Sequence, residues 1–130
     1  MPMKIAIATK DFRQIAGHAG QSRHWLLYEG TEPGTQPRRI ELAPEQVFHV
    51  HRDGVHPLDG IGVVIAGSAG DGFLRRMGKR GVTVALTAES DPARAQRDWL
   101  AGCLAPPAPP GLRGLICKLR DRLFSAHLRG

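Results

Sequence analysis

Ile61-Gly62-Val63-Val64-Ile65-Ala66-Gly67-Ser68-Ala69-Gly70-Asp71-Gly72 decides the fold of this chain, because the most apolar run of the sequence passes through a tight glycine turn into a helix. A continuous apolar run bounded by turn signals is a central strand buried on both faces, as in a sheet covered by helices. Phe73, Leu74 and Met77 follow at helical spacing opposite Arg75, Arg76, Lys79 and Arg80. The helix is therefore amphipathic and packs on the sheet, with Gly81 as its stop. Gly81-Val82-Thr83-Val84-Ala85-Leu86-Thr87 then supplies another buried strand. A strand–helix–strand unit of this kind is expected to be parallel and right-handed.

Working outward, Lys4 to Thr9 is a first strand buried on both faces, followed by a loop from Asp11 to Ser22 with glycines at 17 and 20. Arg23 to Glu29 is aromatic and apolar and runs into Gly30 and Thr31-Glu32-Pro33-Gly34-Thr35, which signals a strand ending in a hairpin. Arg38 to Leu42 and Gln46 to His51 are the expected returning strands, broken or bulged at Ala43-Pro44. Asp53 to Gly60 has too little helix-forming sequence for more than one short turn. Ser90 or Asp91 caps a second helix with Pro92 in its first turn, Ala93, Trp99 and Leu100 as apolar contacts, and Gly102 just past its end. The expectation is an α/β domain with a mixed sheet of about five strands and two principal helices.

Length and composition fit one ordinary domain, since 130 residues with 42% apolar content supply a core without metal or disulfide staples. The expected organisation is a domain over residues 1–102, a Pro-rich spacer over 103–111 and a tail over 112–130. In the tail, Leu112, Leu115, Ile116, Leu119 and Leu123 fall on one helical face. That face is expected to dock on a partner, on a second copy of the chain or on an anionic surface. A membrane surface is the least favoured, because the tail has few basic residues and no Trp. No apolar stretch approaches the roughly 18 residues of a membrane span, so the chain reads as cytoplasmic.

The formal charge of +6 suggests nucleic acid until it is located. Residues 103–130 hold five basic residues against Asp121 alone, which leaves only +2 on residues 1–102. A nearly balanced domain lacks the electrostatic footprint of a nucleic-acid reader. Cys103 and Cys117 flank the proline-rich segment, so a thiolate-only metal or cluster site within one chain is excluded.

Four histidines are the candidates for chemistry. His18 sits within Gly17-His18-Ala19-Gly20, and His49, His51 and His56 crowd one window with Asp53. On a strand His49 and His51 would share a face. If the loops carrying His18 and His56 lie at one end of the sheet, neutral imidazoles can converge on a metal or cluster, since imidazole suits iron, zinc, copper and nickel. Gly67-Ser68-Ala69-Gly70-Asp71-Gly72 precedes a helix start, where backbone N–H groups and the helix dipole favour an anion. It is neither a Walker loop nor a GxGxxG fingerprint. Lys4 to Thr9 and Ile61 to Ala66 carry no acid to hold divalent ions for a nuclease, and no Ser, Cys or Thr has a visible base. The chain is expected not to be an enzyme.

Met3-Lys4-Ile5-Ala6-Ile7-Ala8-Thr9, the Gly17-His18-Ala19-Gly20 loop leading into Trp25-Leu26-Leu27-Tyr28-Glu29, Val63-Val64-Ile65-Ala66-Gly67-Ser68-Ala69-Gly70 and Gly81-Val82-Thr83-Val84 together resemble the dinitrogenase iron-molybdenum cofactor biosynthesis family over residues 3–102. The resemblance implies a ribonuclease H-like α/β fold without nuclease activity. It further implies a non-enzymatic carrier of the iron-molybdenum cofactor or its iron–sulfur precursor, working with nitrogenase maturation proteins. The alternative is a metal- or small-ligand-binding regulatory module of the same fold outside nitrogen fixation. His18-Ala19-Gly20 stands where the family has a His-Phe-Gly loop, so the His is kept and the aromatic is lost. The family's helix before the central strand shrinks here to His56-Pro57-Leu58-Asp59-Gly60. The resemblance points to the His18-Ala19-Gly20 loop and to Gly67 and Gly70; together with the histidines read above, the candidate cofactor contacts are His18, Gly20, His51, His56, Gly67, Ser68 and Gly70, and the candidate metal ligands His18, His49, His51 and His56.

Overall fold

Side chains alternate between the two faces of a strand, and in this chain both faces are apolar. The computed structural model describes residues 4–30, 32–51 and 54–107. Its strands are β1 (Lys4–Thr9), β2 (His24–Glu29), β3 (Arg38–Glu41), β4 (Val63–Ala66) and β5 (Thr83–Leu86), joined in one sheet in the order β3-β2-β1-β4-β5. β1 in the middle pairs antiparallel with β2, Thr9 opposite His24, and parallel with β4, Ile5 opposite Val63. β2 and β3 form the expected hairpin, and β4 and β5 the expected parallel pair.

The alternation builds two separate cores. Ala6, Ala8, Trp25, Leu27, Val64 and Ala66 face Phe73 and Met77 of helix α1 (Asp71–Lys79). Ile5, Ile7, Leu26, Tyr28, Val63 and Ile65 face Ala95, Trp99 and Leu100 of helix α2 (Pro92–Leu100). One helix thus covers each face, and every fully buried Ile or Leu among these contributes about 1.5–3 kcal/mol of transfer free energy. The helix ends follow their sequence signals. The Asp91 carboxylate accepts the Ala93 N–H at 3.1 Å as the N-cap of α2, while Gly81 and Gly102 stop the helices at φ +74° and +75°.

Four expectations are corrected. Gln46–His51 is not a strand: Pro44 opens a 3₁₀ turn (Pro44–Gln46), the Gln46 side-chain oxygen accepts the Ala43 N–H at 2.8 Å, and the Val47 carbonyl accepts from Val50 and His51. Local bonds thus take the groups a ladder would need, and His49 and His51 share no strand face. β5 is only half-buried because it is the sheet edge. Leu74 turns outward, 37% exposed, and leaves the packing to Phe73 and Met77. The Pro-rich segment begins as part of the domain, with Leu104 packed on the α2-side core, Ala105 buried and the Pro106 carbonyl accepting the Ala88 N–H. The rest of that segment, Cys117 and the amphipathic tail lie outside the described residues, and among those described no helix is long and apolar enough to cross a membrane.

Candidate functional site

Because β1 and β4 are parallel, their carboxyl ends open on the same edge of the sheet, where ligands of α/β folds gather. The loops leaving them are stitched together by backbone. The Ala16 N–H donates to Ala8, Gly67 to Ala16, and Ala19 to Ser68 at 3.1 Å, while the Ser68 hydroxyl donates to the Gly17 carbonyl. Gly67 and Ser68 therefore hold the His18 loop in place. Ala19 is fully buried at the start of a 3₁₀ turn (Ala19–Gln21), and His18, extended at φ −135° just before it, is exposed. On the far side of this loop the Gly20 carbonyl accepts the His49 N–H at 2.7 Å. Gly20 also lies beside Phe73 and His49, at ordinary contact distance: a Cβ there would meet them at 3.8 and 3.9 Å.

These contacts frame a cleft of about 390 Å³ lined by His18, Gln21, His49, Gly70, Phe73 and Arg76. Gly70 is the N-cap of α1 and no side chain caps that end, so the helix offers first-turn N–H groups and the positive end of its dipole to the cleft. Asp71, exposed in the same turn, trims that field. Arg76 donates to the Phe48 carbonyl at 2.7 Å and the His51 carbonyl at 3.4 Å, binding the His49 segment to α1 and adding a fixed positive charge. Among the described residues neither the His18 nor the His49 ring has a hydrogen-bond partner, so both imidazoles are available as ligands or donors. His18 and Gln21 also line a second, more open cleft of about 380 Å³ beside Arg23 and His24.

The other two histidines make a different pair. The His56 Nε2 lies 2.6 Å from the Gln46 carbonyl, and its Nδ1 accepts the Leu58 N–H at 3.0 Å, so one tautomer satisfies both nitrogens. The ring is 3% exposed and stacks on Phe48 at 4.4 Å, and burial lowers its pKa from 6.5. His51 packs edge-on against it at 4.8 Å. The convergence expected from sequence thus becomes two pairs, His18 with His49 on the cleft and His51 with His56 beneath it. Among the described residues no three of His, Cys, Asp and Glu group as metal ligands, and Asp53 lies outside them. Gln21, Phe73 and Arg76 were not legible as cleft residues. Arg76 in particular reads as part of a solvated helix face.

The sequence profile described as "Dinitrogenase iron-molybdenum cofactor" matches residues 1–102, which include every residue of the cleft. No curated protein matches the chain. Among solved structures, a Methanocaldococcus jannaschii protein described as a candidate dinitrogenase superposes with a TM-score of 0.59 at 12% identity, covering 85% of this chain and 99% of that one. A Thermotoga protein described as a candidate NifB protein of the DUF35 family gives 0.52 at 17%, covering 77% and 88%. At such identities the likeness is one of fold.

Proposed function

Because the chain belongs to the dinitrogenase iron-molybdenum cofactor family, we propose that it is a non-enzymatic cytoplasmic carrier that holds the iron-molybdenum cofactor, or its iron–sulfur precursor, in the His18–His49 cleft and passes it to nitrogenase maturation proteins. The observation that carries this reading is two imidazoles on one cleft, with no ring partner among the described residues, beside a helix N-terminus that no side chain caps and Arg76. Imidazole nitrogen is a suitable iron ligand, and N–H donors stabilise the sulfides of a bound cluster.

The test is anaerobic reconstitution of the full chain with ferrous iron and sulfide, and separately with isolated iron-molybdenum cofactor, followed by visible absorption and metal analysis. Stoichiometric uptake that survives gel filtration is the expected result. A chain that takes up no cluster, and instead binds a free metal ion or a small anion in the same cleft, would be the regulatory module outside nitrogen fixation.

A further inference from the structure

A separate cavity lies on the other face of the sheet, at the N-terminal end of α2. It measures about 300 Å³, and Tyr28, Phe12, Arg13, Arg39 and Asp91 are among its walls. Tyr28 is only 3% exposed, yet its hydroxyl has no hydrogen-bond partner among the described residues. No fully enclosed polar side-chain atom there goes unpaired, so this hydroxyl opens on the cavity. A phenol held this way, its ring buried and its hydroxyl open to the cavity, offers that hydroxyl to whatever enters.

The walls define what that occupant is. Arg38 and Arg94 are paired with Glu29 and Glu89 at 3.1 and 3.2 Å, whereas among the described residues Arg39 forms no salt bridge and Arg13 meets only the exposed Asp11 carboxylate, whose pKa its charge helps to lower, without a close ion pair. The Arg39 guanidinium rests over the Phe12 ring at 5.2 Å. Phe12 holds a left-handed backbone at φ +67°, rare for a residue with a side chain, fixed by its N–H to the Thr9 hydroxyl at 3.0 Å. Asp91 spends one carboxylate oxygen on the cap of α2. Burial and the Asp91 charge both raise the Tyr28 pKa, which keeps the phenol protonated as a donor.

We propose that this cavity is a binding site for a small carboxylate that also carries a hydroxyl or ammonium group. The carboxylate takes charge-assisted bonds from Arg13 and Arg39 and the Tyr28 hydroxyl, the hydroxyl or ammonium donates to Asp91, and Phe12 is the apolar wall. The cavity is at the lower end of small-ligand sites, which suits a molecule of this size. It stands apart from the cluster cleft, since Tyr28 belongs to the α2-side core and Phe73 to the α1-side core.

The experiment is a ¹H–¹⁵N NMR titration of the full chain with L-malate, L-glutamate and inorganic phosphate, each up to about 10 mM, a range that detects even weak affinity. Malate or glutamate should give saturable shifts at the Arg13, Arg39 and Ala93 amides and leave Gly70 and Gly72 unmoved. Tyr28→Phe and Arg39→Gln should each weaken that binding about tenfold with an otherwise native spectrum. Four results would overturn the assignment: no saturable shift with either carboxylate, phosphate binding as well as both, shifts centred on Gly70, or unchanged affinity in Tyr28→Phe.

Discussion

His18 and His49 are exposed, face a cleft and have no ring partner among the described residues, whereas His56, a few residues along the same segment, is buried in a turn with the half-exposed His51 ring against it. One residue type, in two places on one face of the sheet, does two kinds of work. A histidine whose two nitrogens both meet backbone groups has become part of the core, and one whose nitrogens meet nothing is still available for chemistry. Density along the sequence does not separate the two cases. Hydrogen bonding does.

The comparison breaks most readily at His56. His56→Ala removes the stack on Phe48 and leaves the Gln46 carbonyl and the Leu58 N–H without partners in a buried place. Urea unfolding should show a loss of about 2–4 kcal/mol. His18→Ala and His49→Ala should do the reverse, keeping stability within about 0.5 kcal/mol, as exposed substitutions do, while each lowers cluster affinity about tenfold, or about 1.4 kcal/mol. Equal losses of stability across all three variants would erase the distinction between the pairs.

The glycines sharpen it on a smaller scale. Gly70 has an ordinary φ of −76° and open space where a Cβ would stand, so in Gly70→Ala the entropy lost by the unfolded chain offsets the poorer N-cap that Ala makes, and stability should stay within about 0.5 kcal/mol. Gly81, at φ +74°, should lose about 1 kcal/mol on the same substitution. Thermal melting of the two variants reads the difference.

Acid gives the smallest effect. His56 is held neutral by burial, with its folded pKa below 6.5, so the unfolded chain takes up this proton first as pH falls. Its contribution to stability is complete above 6.5 and is lost as pH drops through the lowered folded value. A denaturation series across that window should slope downward toward acid in the native chain and less so in His56→Gln.

Much of the fold is written in local pattern. The apolar runs of β1 and β4, the aromatic β2 before its turn-rich loop and the Asp91-Pro92 helix start all fold as their sequences indicate. The stretch from Pro44 to His51 does not, because the Gln46 side chain and the Val47 carbonyl offer local partners that no alternation pattern records. β5 is as apolar as an interior strand and is half-exposed only because nothing pairs beyond it. The site was legible at His18, flanked by glycines, and at Gly70 before the helix. Arg76 was not, since its role rests on reaching the Phe48 and His51 carbonyls in a distant segment, and such pairings come from the tertiary fold.

The central claim, that His18 and His49 rather than His51 and His56 meet the cargo, is tested most directly by histidine-ring ¹H–¹⁵N NMR during anaerobic addition of a paramagnetic iron–sulfur cluster. The account predicts that the His18 and His49 ring resonances broaden beyond detection at one equivalent while the His56 ring keeps its signal and its neutral tautomer. Broadening of the His51 and His56 rings with His18 and His49 untouched would contradict it.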